Sequence, residues 1–265
     1  MLETVLALIL GLLVGSFLNV CIHRLPRDLS VVRPRSCCPK CATPIPWYDN
    51  IPLLSYLLLR GRCRYCREKI PLRYPLTEAA TAAVFAWCVS QLGVSPAAAK
   101  WSLFGALMIG LFFSDLEERI LPDEFTLGGA AVGLVLALWV RAPSGYVEML
   151  AGGRWGERWV SLGEAALGAA GGSLLLWGVG ALYQAVRRRE GLGFGDVKML
   201  AAIGAFQGLH GALQTLILGS LAGSLIGLIY IKSAKKDFST YELPFGTFLA
   251  LTGLALGMVQ VSAGG

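Results

Sequence analysis

Hydrophobic positions occur along most of the chain in runs long enough to cross a membrane. A spanning helix needs roughly 20 apolar residues, because it rises 1.5 Å per residue through about 30 Å of hydrocarbon. Eight runs meet or approach that length: 3–22, 77–94, 98–116, 124–141, 161–184, 196–208, 210–231 and 244–262. The sixth run is short for a complete span. The pattern therefore predicts an all-α protein, a polytopic membrane helix bundle of about eight transmembrane helices.

Composition agrees with a lipid environment. Of the 265 residues, 55% are hydrophobic and only 15% are charged, whereas soluble domains usually carry about 25% charge. The first run, 3–22, is predicted to be a retained span rather than a signal peptide, because no basic segment precedes it and His23 and Arg24 follow it. The chain then divides into 1–95, with two spans and a polar loop at 23–76, and the almost wholly apolar 96–265.

The distribution of positive charge predicts the orientation. Eleven Lys and Arg residues lie in 23–76 against three acidic ones, and the loops 185–195 and 232–243 are basic as well. With eight spans these three loops share one side, and basic loops remain cytoplasmic. Both termini are then outside the cytoplasm. A nucleic-acid partner is the alternative explanation of the charge, but we favour orientation and expect no nucleic acid as a partner.

The polar loop carries two C-x-x-C pairs, Cys38/Cys41 and Cys63/Cys66, separated by 21 residues. Two such knuckles can close a tetrahedral, structural Zn²⁺ site with no open position for water. We predict this zinc-ribbon-like arrangement, because a cytoplasmic loop is reducing. A redox pair and unbound thiols are alternatives, and Cys37 could replace Cys38 as a ligand. The apolar run 51–59 inside the loop is too short to span, so it is expected to lie on the membrane surface or the bundle.

Two acidic residues occur where predicted spans meet the cytoplasmic face. Asp115 ends the third span and Asp196 begins the sixth, preceded by Gly193 and Gly195, which permit close backbone approach and positive φ. Ionisable residues in spans mark functional sites, and two facing carboxylates can act as acid and base. The helix dipoles favour Asp115 as the protonated partner. The alternative is that both are helix caps or solvated loop acids.

Four further acidic residues follow the first of these positions. We expect them to be solvated or capping residues, which as a cluster could attract a basic substrate segment. They are Glu117, Glu118, Asp123 and Glu124.

These motifs, in this order, resemble the type 4 prepilin peptidase family (prepilin leader peptidase/N-methyltransferases, G-x-G-D intramembrane aspartyl proteases) over nearly the whole chain. The residues that carry the resemblance are Gly15-Ser16-Phe17-Leu18-Asn19-Val20, Arg24-Leu25-Pro26, Cys38 to Cys41, Asp49-Asn50-Ile51-Pro52, Arg60-Gly61-Arg62-Cys63, Arg73-Tyr74-Pro75, Glu78, Asp115, Leu121-Pro122-Asp123, Gly193-Phe194-Gly195-Asp196 and Pro244-Phe245-Gly246.

The resemblance implies a multi-pass enzyme of the bacterial inner membrane whose active site faces the cytoplasm. It would remove basic leaders from prepilins and pseudopilins of type IV pilus and type II secretion systems, cleaving after glycine. It would then methylate the new N-terminus with S-adenosylmethionine. Asp115 and Asp196 would be the catalytic pair of an aspartyl peptidase domain at 96–265. The methyl-donor site is tied only to the N-terminal part, where Glu78 is a candidate or, alternatively, a helix N-terminal acid.

Departures from the family pattern occur near the aspartates. Glu117 and Glu118 stand where Asp and His are common, and Thr247 replaces a frequent proline; none of these is expected to touch the aspartate pair. Other functions remain open. A preflagellin peptidase would lack the cysteine loop. A proton-coupled transporter would place its acids near the midplane and show inverted repeats. A zinc-ribbon docking subunit would have no catalysis.

Overall fold

The computed structural model describes residues 1–143, 145–151, 153–188, 192–233 and 243–263. Within them the chain forms helices and no strands, apart from two isolated β-bridges in the cysteine loop. The helices are α1 (Leu2–Arg24), α2 (Leu54–Leu58), α3 (Arg73–Leu92), α4 (Pro96–Glu118), α5 (Asp123–Leu136), α6 (Tyr146–Ala151), α7 (Glu157–Arg187), α8 (Phe194–Ser233) and α9 (Phe245–Ser262). The all-α prediction is confirmed.

In the part of the chain that the structure describes, five helices are long and apolar enough to cross a membrane: α1, α4, α7, α8 and α9. Among the other predicted spans, the run 77–94 corresponds to α3 and the run 124–141 to the 14-residue α5. The count of eight spans therefore stays a prediction. Parts of the basic loops 185–195 and 232–243, including Arg189, Lys235 and Lys236, lie outside the described residues.

Helix α8 turns back on itself at Gly208, whose φ of 72° and ψ of −179° are not helical. A Cβ atom added to Gly172 of α7 would lie 2.9 Å from Ala212 and 3.4 Å from Leu200. Residues twelve positions apart in a straight helix would be about 18 Å apart, so both can reach one point only if the halves fold back. The predicted runs 196–208 and 210–231 are the two arms of this hairpin.

The first arm of α8 packs beside α5, and the two run in the same direction. A Cβ atom added to Gly129 would lie 3.6 Å from Ala202, and one added to Gly133 would lie 2.9 Å from Ala205. Both elements begin beside the acidic positions described below. Small residues on α5 therefore allow close contact with the arm that begins at Phe194 and carries Asp196.

The N-terminal helices α1 and α3 are joined by an equally close glycine seam. A Cβ atom added to Gly11 would lie 2.6 Å from Ala82 Cα, and one added to Gly15 would lie 2.7 Å from Glu78 Cα. No side chain fits in either place without a shift of the backbone. The seam fixes Glu78 against the end of α1 that leads into the cysteine loop.

Candidate active site and cysteine cluster

Asp115 lies in the last turn of α4 and is only 6% exposed. Its Oδ2 atom accepts a hydrogen bond from the backbone N–H of Thr247 at 2.6 Å and another from the Thr247 hydroxyl at 2.8 Å. Thr247 is the third residue of α9, where backbone N–H groups have no partner within the helix. The expectation that Thr247 does not touch the aspartates is therefore wrong. In the sequence Asp115 belongs to the C-terminal end of α4, and only the fold shows that its carboxylate lies at the N-terminus of α9.

Asp196 lies in the first turn of α8 and is 8% exposed. Its backbone N–H donates to the carbonyl of Gly193 at 3.1 Å. A Cβ atom added to Gly193 would lie 3.1 Å from Asp196 Oδ2, and one added to Gly195 would lie 3.2 Å from Leu121. The close approach expected at these two glycines is present. The positive φ expected there is not, since neither glycine has one.

Leu121 connects the surroundings of the two aspartates. A Cβ atom added to Gly246 would lie 3.0 Å from Leu121 Cδ1 and 3.1 Å from Asp115 Cγ, and one added to Gly195 would lie 3.2 Å from the same Cδ1 atom. Three chain segments, from the ends of α4, α8 and α9, thus bring two buried carboxyl groups together. Such a pair can exchange roles as proton acceptor and proton donor.

The neighbouring acids are mostly paired with cations of the chain itself, which the sequence did not reveal. Glu117 binds Arg73, whose side chain is 8% exposed, and this pair links α4 to α3. The other two pairs are Glu118 with Arg27 at 2.7 Å and Asp123 with Lys198 at 2.5 Å. The prediction that these acids are solvated or capping residues did not anticipate that three of the four also pair with cations of the chain. Their charge is compensated internally and contributes little to attracting a basic segment.

Glu78 lies away from the aspartates, buried at the seam between α1 and α3. Its Oε2 atom accepts the N–H of Leu53, in the cysteine loop, at 2.8 Å. It is the sixth residue of α3 and therefore does not cap that helix. The carboxylate instead fastens the cysteine loop to the membrane helices.

The cysteine loop brings four thiols together. The sulfur atoms of Cys38, Cys41, Cys63 and Cys66 all lie within 4.8 Å of one another, and those of Cys38 and Cys66 are 3.8 Å apart. Tetrahedral zinc with Zn–S bonds of about 2.3 Å requires sulfur separations of about 3.8 Å. Cys37 is exposed and is not part of this group.

The two knuckles share one backbone design. In the first, Cys38 N–H donates to the Thr43 carbonyl at 3.0 Å; in the second, Cys63 N–H donates to the Glu68 carbonyl at 2.9 Å. The residue after each second cysteine, Ala42 or Arg67, has a positive φ near 60°. Each turn therefore directs its pair of thiols to one side.

Hydrogen bonding favours the thiolate form of Cys41 and Cys63, whereas burial and the neighbouring thiols raise the pKa of Cys66. The side chain of Thr43 lowers the pKa of Cys41 to about 6. The backbone N–H groups of Cys66 and Tyr65 lower the pKa of Cys63. Since thiolates are the form that binds metal, the chemistry of the four sulfur atoms fits Zn²⁺.

Two protein-family models match the chain. Residues 9–92 match the bacterial peptidase A24 N-terminal domain, and residues 102–231 match the type IV leader peptidase family. No solved structure matches the chain.

Curated relatives cover almost the whole chain. A prepilin leader peptidase/N-methyltransferase of Burkholderia pseudomallei (strain 1026b) is 35% identical over 276 residues, covering 94% of this chain and 83% of the relative. Proteins of the same name from Aeromonas hydrophila and Neisseria gonorrhoeae are each 37% identical, covering 94% of this chain and 88% and 87% of those proteins. The resemblance found in the sequence is confirmed: the chain belongs to the type IV leader peptidase family.

Proposed function

We propose that this protein cleaves leader peptides from prepilins and methylates the N-terminus so exposed. The relatives named above carry both activities in their names. The observation that supports the peptidase half is the buried pair Asp115 and Asp196, one of which is held by two hydrogen bonds from Thr247. Substrates are prepilins and pseudopilins with basic leaders, cut after glycine.

Hydrogen bonding distinguishes the two carboxyl groups. Asp115 receives two donors at the N-terminus of α9, and donors of this kind stabilise a carboxylate. No donor to the Asp196 carboxyl group occurs within the described residues. The proposed base is therefore Asp115 and the proposed acid is Asp196, the reverse of the assignment from the dipoles of their own helices.

The proposed reaction uses both groups on one peptide bond. Asp115 removes a proton from a water molecule while the water oxygen bonds to the scissile carbonyl carbon. Asp196 gives its proton to the carbonyl oxygen. The tetrahedral intermediate then collapses: one of its hydroxyl groups returns a proton to Asp196 as the new C=O bond forms, the C–N bond breaks, and the leaving amine takes the proton held by Asp115.

The remaining assignments extend the same proposal. The cysteine cluster would hold one structural Zn²⁺, and S-adenosylmethionine would supply the methyl group. The protein would lie in the bacterial inner membrane with residues 23–76 and both aspartates towards the cytoplasm. Residues 1–95 would serve methylation and residues 96–265 proteolysis.

The decisive experiment replaces each aspartate by asparagine. Asp115→Asn and Asp196→Asn should each abolish leader cleavage, because an amide can neither accept the water's proton nor return one. The double variant should be no worse, since the pair acts as a unit. Asp28→Asn is the matched control: Asp28 is exposed, and its φ of 54° suits asparagine. Substantial cleavage by either single variant would refute the aspartyl mechanism.

A further inference from the structure

Helices α4 and α9 are packed in a defined antiparallel register. A Cβ atom added to Gly246 would lie 3.1 Å from Asp115 Cγ, and one added to Gly257 would lie 2.8 Å from Phe104 Cε1. The two glycines are eleven residues apart along α9, and their neighbours are eleven residues apart along α4 in the opposite direction. The two helices therefore keep one register over about 16 Å, beginning at Asp115.

The first arm of α8 packs beside α9 in a parallel register. A Cβ atom added to Gly253 would lie 3.2 Å from Ile203 Cδ1, and one added to Gly257 would lie 3.2 Å from Gln207 Nε2. Between the first contact and the second, both helices advance by four residues. The arm and α9 therefore run side by side in the same direction with no offset between them.

Both registers lead to Gly246. In α9, Gly246 lies seven residues before Gly253, and in the arm of α8 the residue seven positions before Ile203 is Asp196. The parallel register therefore makes Gly246 level with Asp196, and the antiparallel register makes it level with Asp115. Helix α9 is thus the common reference that brings two aspartates on different helices to one height in the bundle.

One buried hydrogen bond joins α9 to the arm that carries Asp196. Gln207 is 1% exposed, and its Nε2 atom donates to the backbone carbonyl of Gly253 at 2.6 Å. Its Oε1 atom accepts no hydrogen bond within the described residues. An unpaired buried acceptor is unfavourable, and an apolar side chain of the same length would avoid it. The amide is therefore explained by the bond that it donates rather than by packing.

Without this bond little would fix the height of the arm against α9. The face of α9 that meets α4 and the arm carries Gly246, Gly253 and Gly257, which allow close approach but offer no side chain to resist sliding. Hydrogen bonds between helices hold them together in lipid, and no second one joins the arm to α9 within the described residues. A slide of one turn would move Asp196 about 5 Å along the bundle from Asp115.

We propose that Gln207 is a positioning residue for the aspartate pair. Thr247 holds α9 against Asp115 on α4, and Gln207 holds α9 against the arm that carries Asp196. The two bonds act in series, so the carboxyl groups stay level only while both are made. Gln207 itself lies eleven residues from Asp196, about 16 Å along the arm. The inference rests on the proposed aspartyl mechanism and adds a residue that sets its geometry from the opposite end of the bundle.

Two substitutions remove the bond in different ways. Gln207→Met keeps the length of the side chain and removes the amide, whereas Gln207→Asn keeps the amide but is one methylene too short to reach Gly253. Each should lower kcat for leader cleavage about 10- to 100-fold. KM should stay within about twofold, because the register changes the distance between reacting groups and not the surface that receives the substrate.

The matched controls are the same changes at another glutamine of the bundle. Gln260 lies near the end of α9, and its buried Oε1 atom accepts no hydrogen bond within the described residues. Gln260→Met and Gln260→Asn should therefore cleave the leader as the wild type does. A wild-type kcat in either Gln207 variant would overturn the positioning role.

Coupling to Thr247 distinguishes positioning from a general loss of stability. Because the two bonds act in series, the loss in the double variant Gln207→Met/Thr247→Val should be smaller than the product of the two single losses. Gln260→Met/Thr247→Val should match Thr247→Val alone. Losses that multiply in the Gln207 double variant would show two independent effects and overturn the proposal.

The proposed function is judged by other variants. If Asp115→Asn or Asp196→Asn still cleaves the leader, the aspartyl mechanism fails, whatever the result at Gln207. If both aspartate variants are inactive and the Gln207 variants cleave at the wild-type rate, only the positioning role fails.

Discussion

Two adjacent glutamates give a direct test of whether the acids after Asp115 act as a structural link or as an electrostatic attractor. Glu117 pairs with Arg73, whose side chain is 8% exposed, whereas Glu118 pairs with Arg27, whose side chain is 39% exposed. The same change, Glu to Gln, therefore removes a pair with a buried arginine at one position and a pair with an exposed arginine at the next. If both acids attracted a basic leader, the two variants would behave alike.

The expected magnitudes differ because solvent screens the two pairs differently. Surface pairs contribute about 0–1 kcal/mol, and hydrogen bonds to charged groups about 1.5–3 kcal/mol. Since Glu117 is itself 36% exposed, we expect Glu117→Gln to cost about 1–2 kcal/mol. At 2–4 °C per kcal/mol this lowers Tm by about 2–8 °C. Glu118→Gln should cost about 0–1 kcal/mol and lower Tm by about 0–4 °C by the same conversion.

The assay combines thermal unfolding with leader cleavage at low and high salt. Glu117→Gln should lower cleavage more than Glu118→Gln, and most of its loss should persist at high salt because the Arg73 side chain is buried and therefore less screened by ions. Equal losses that both disappear at high salt would refute the structural link and restore the attractor.

Three further results are expected. Thr247→Val should lower kcat/KM for leader cleavage about tenfold, because it removes one hydrogen-bond donor to the Asp115 carboxylate. Thr247→Ser keeps that donor and should leave kcat/KM unchanged. Thr215→Val is the control and should also leave it unchanged, because the buried Thr215 hydroxyl has no partner within the described residues. Full activity in Thr247→Val would remove that residue from the site. Metal analysis should give about one zinc per chain, lost when Cys63 and Cys66 are both replaced by serine; unchanged zinc would contradict the cluster as a metal site. A membrane-impermeant thiol reagent applied to intact cells should leave the exposed Cys37 unlabelled, and strong labelling would reverse the topology.

The sequence predicted those features that depend on local composition. Long apolar runs predicted the helices, and the C-x-x-C spacing predicted which thiols meet. The sequence could not predict contacts between residues far apart in the chain. The bond from Thr247 to Asp115 joins positions 132 apart, and no local pattern marks it. The pair of Arg73 with Glu117 likewise depends on how α3 and α4 pack.

The assignment of acid and base from the dipoles of their own helices was reversed for the same reason, a contact between residues far apart in the chain. A helix end can be located in the sequence, but a carboxylate responds to every helix end near it. Along the sequence Asp115 lies at the C-terminal end of α4, where a negative charge is unfavourable. In space its carboxylate lies at the N-terminus of α9, where a negative charge is favourable. The number of spans is harder to predict for a different reason. The length of an apolar run does not show how much of it is helical, so the run 124–141 looked like a complete span although α5 has only 14 residues.

The parallel packing of α5 with the first arm of α8 has a consequence for the lipid around the protein. Each element has 14 helical residues, Asp123–Leu136 in one and 194–207 in the other, which gives a length of about 21 Å. A bilayer with about 30 Å of hydrocarbon exceeds both. The α8 arm is buried within the protein, so the mismatch acts on the exposed side of α5, where local thinning of the bilayer relieves it. A thinner leaflet beside Asp196 would bring water and headgroups close to a peptide bond at the edge of a substrate helix, so the acyl-chain length of the host membrane becomes a variable of the cleavage reaction.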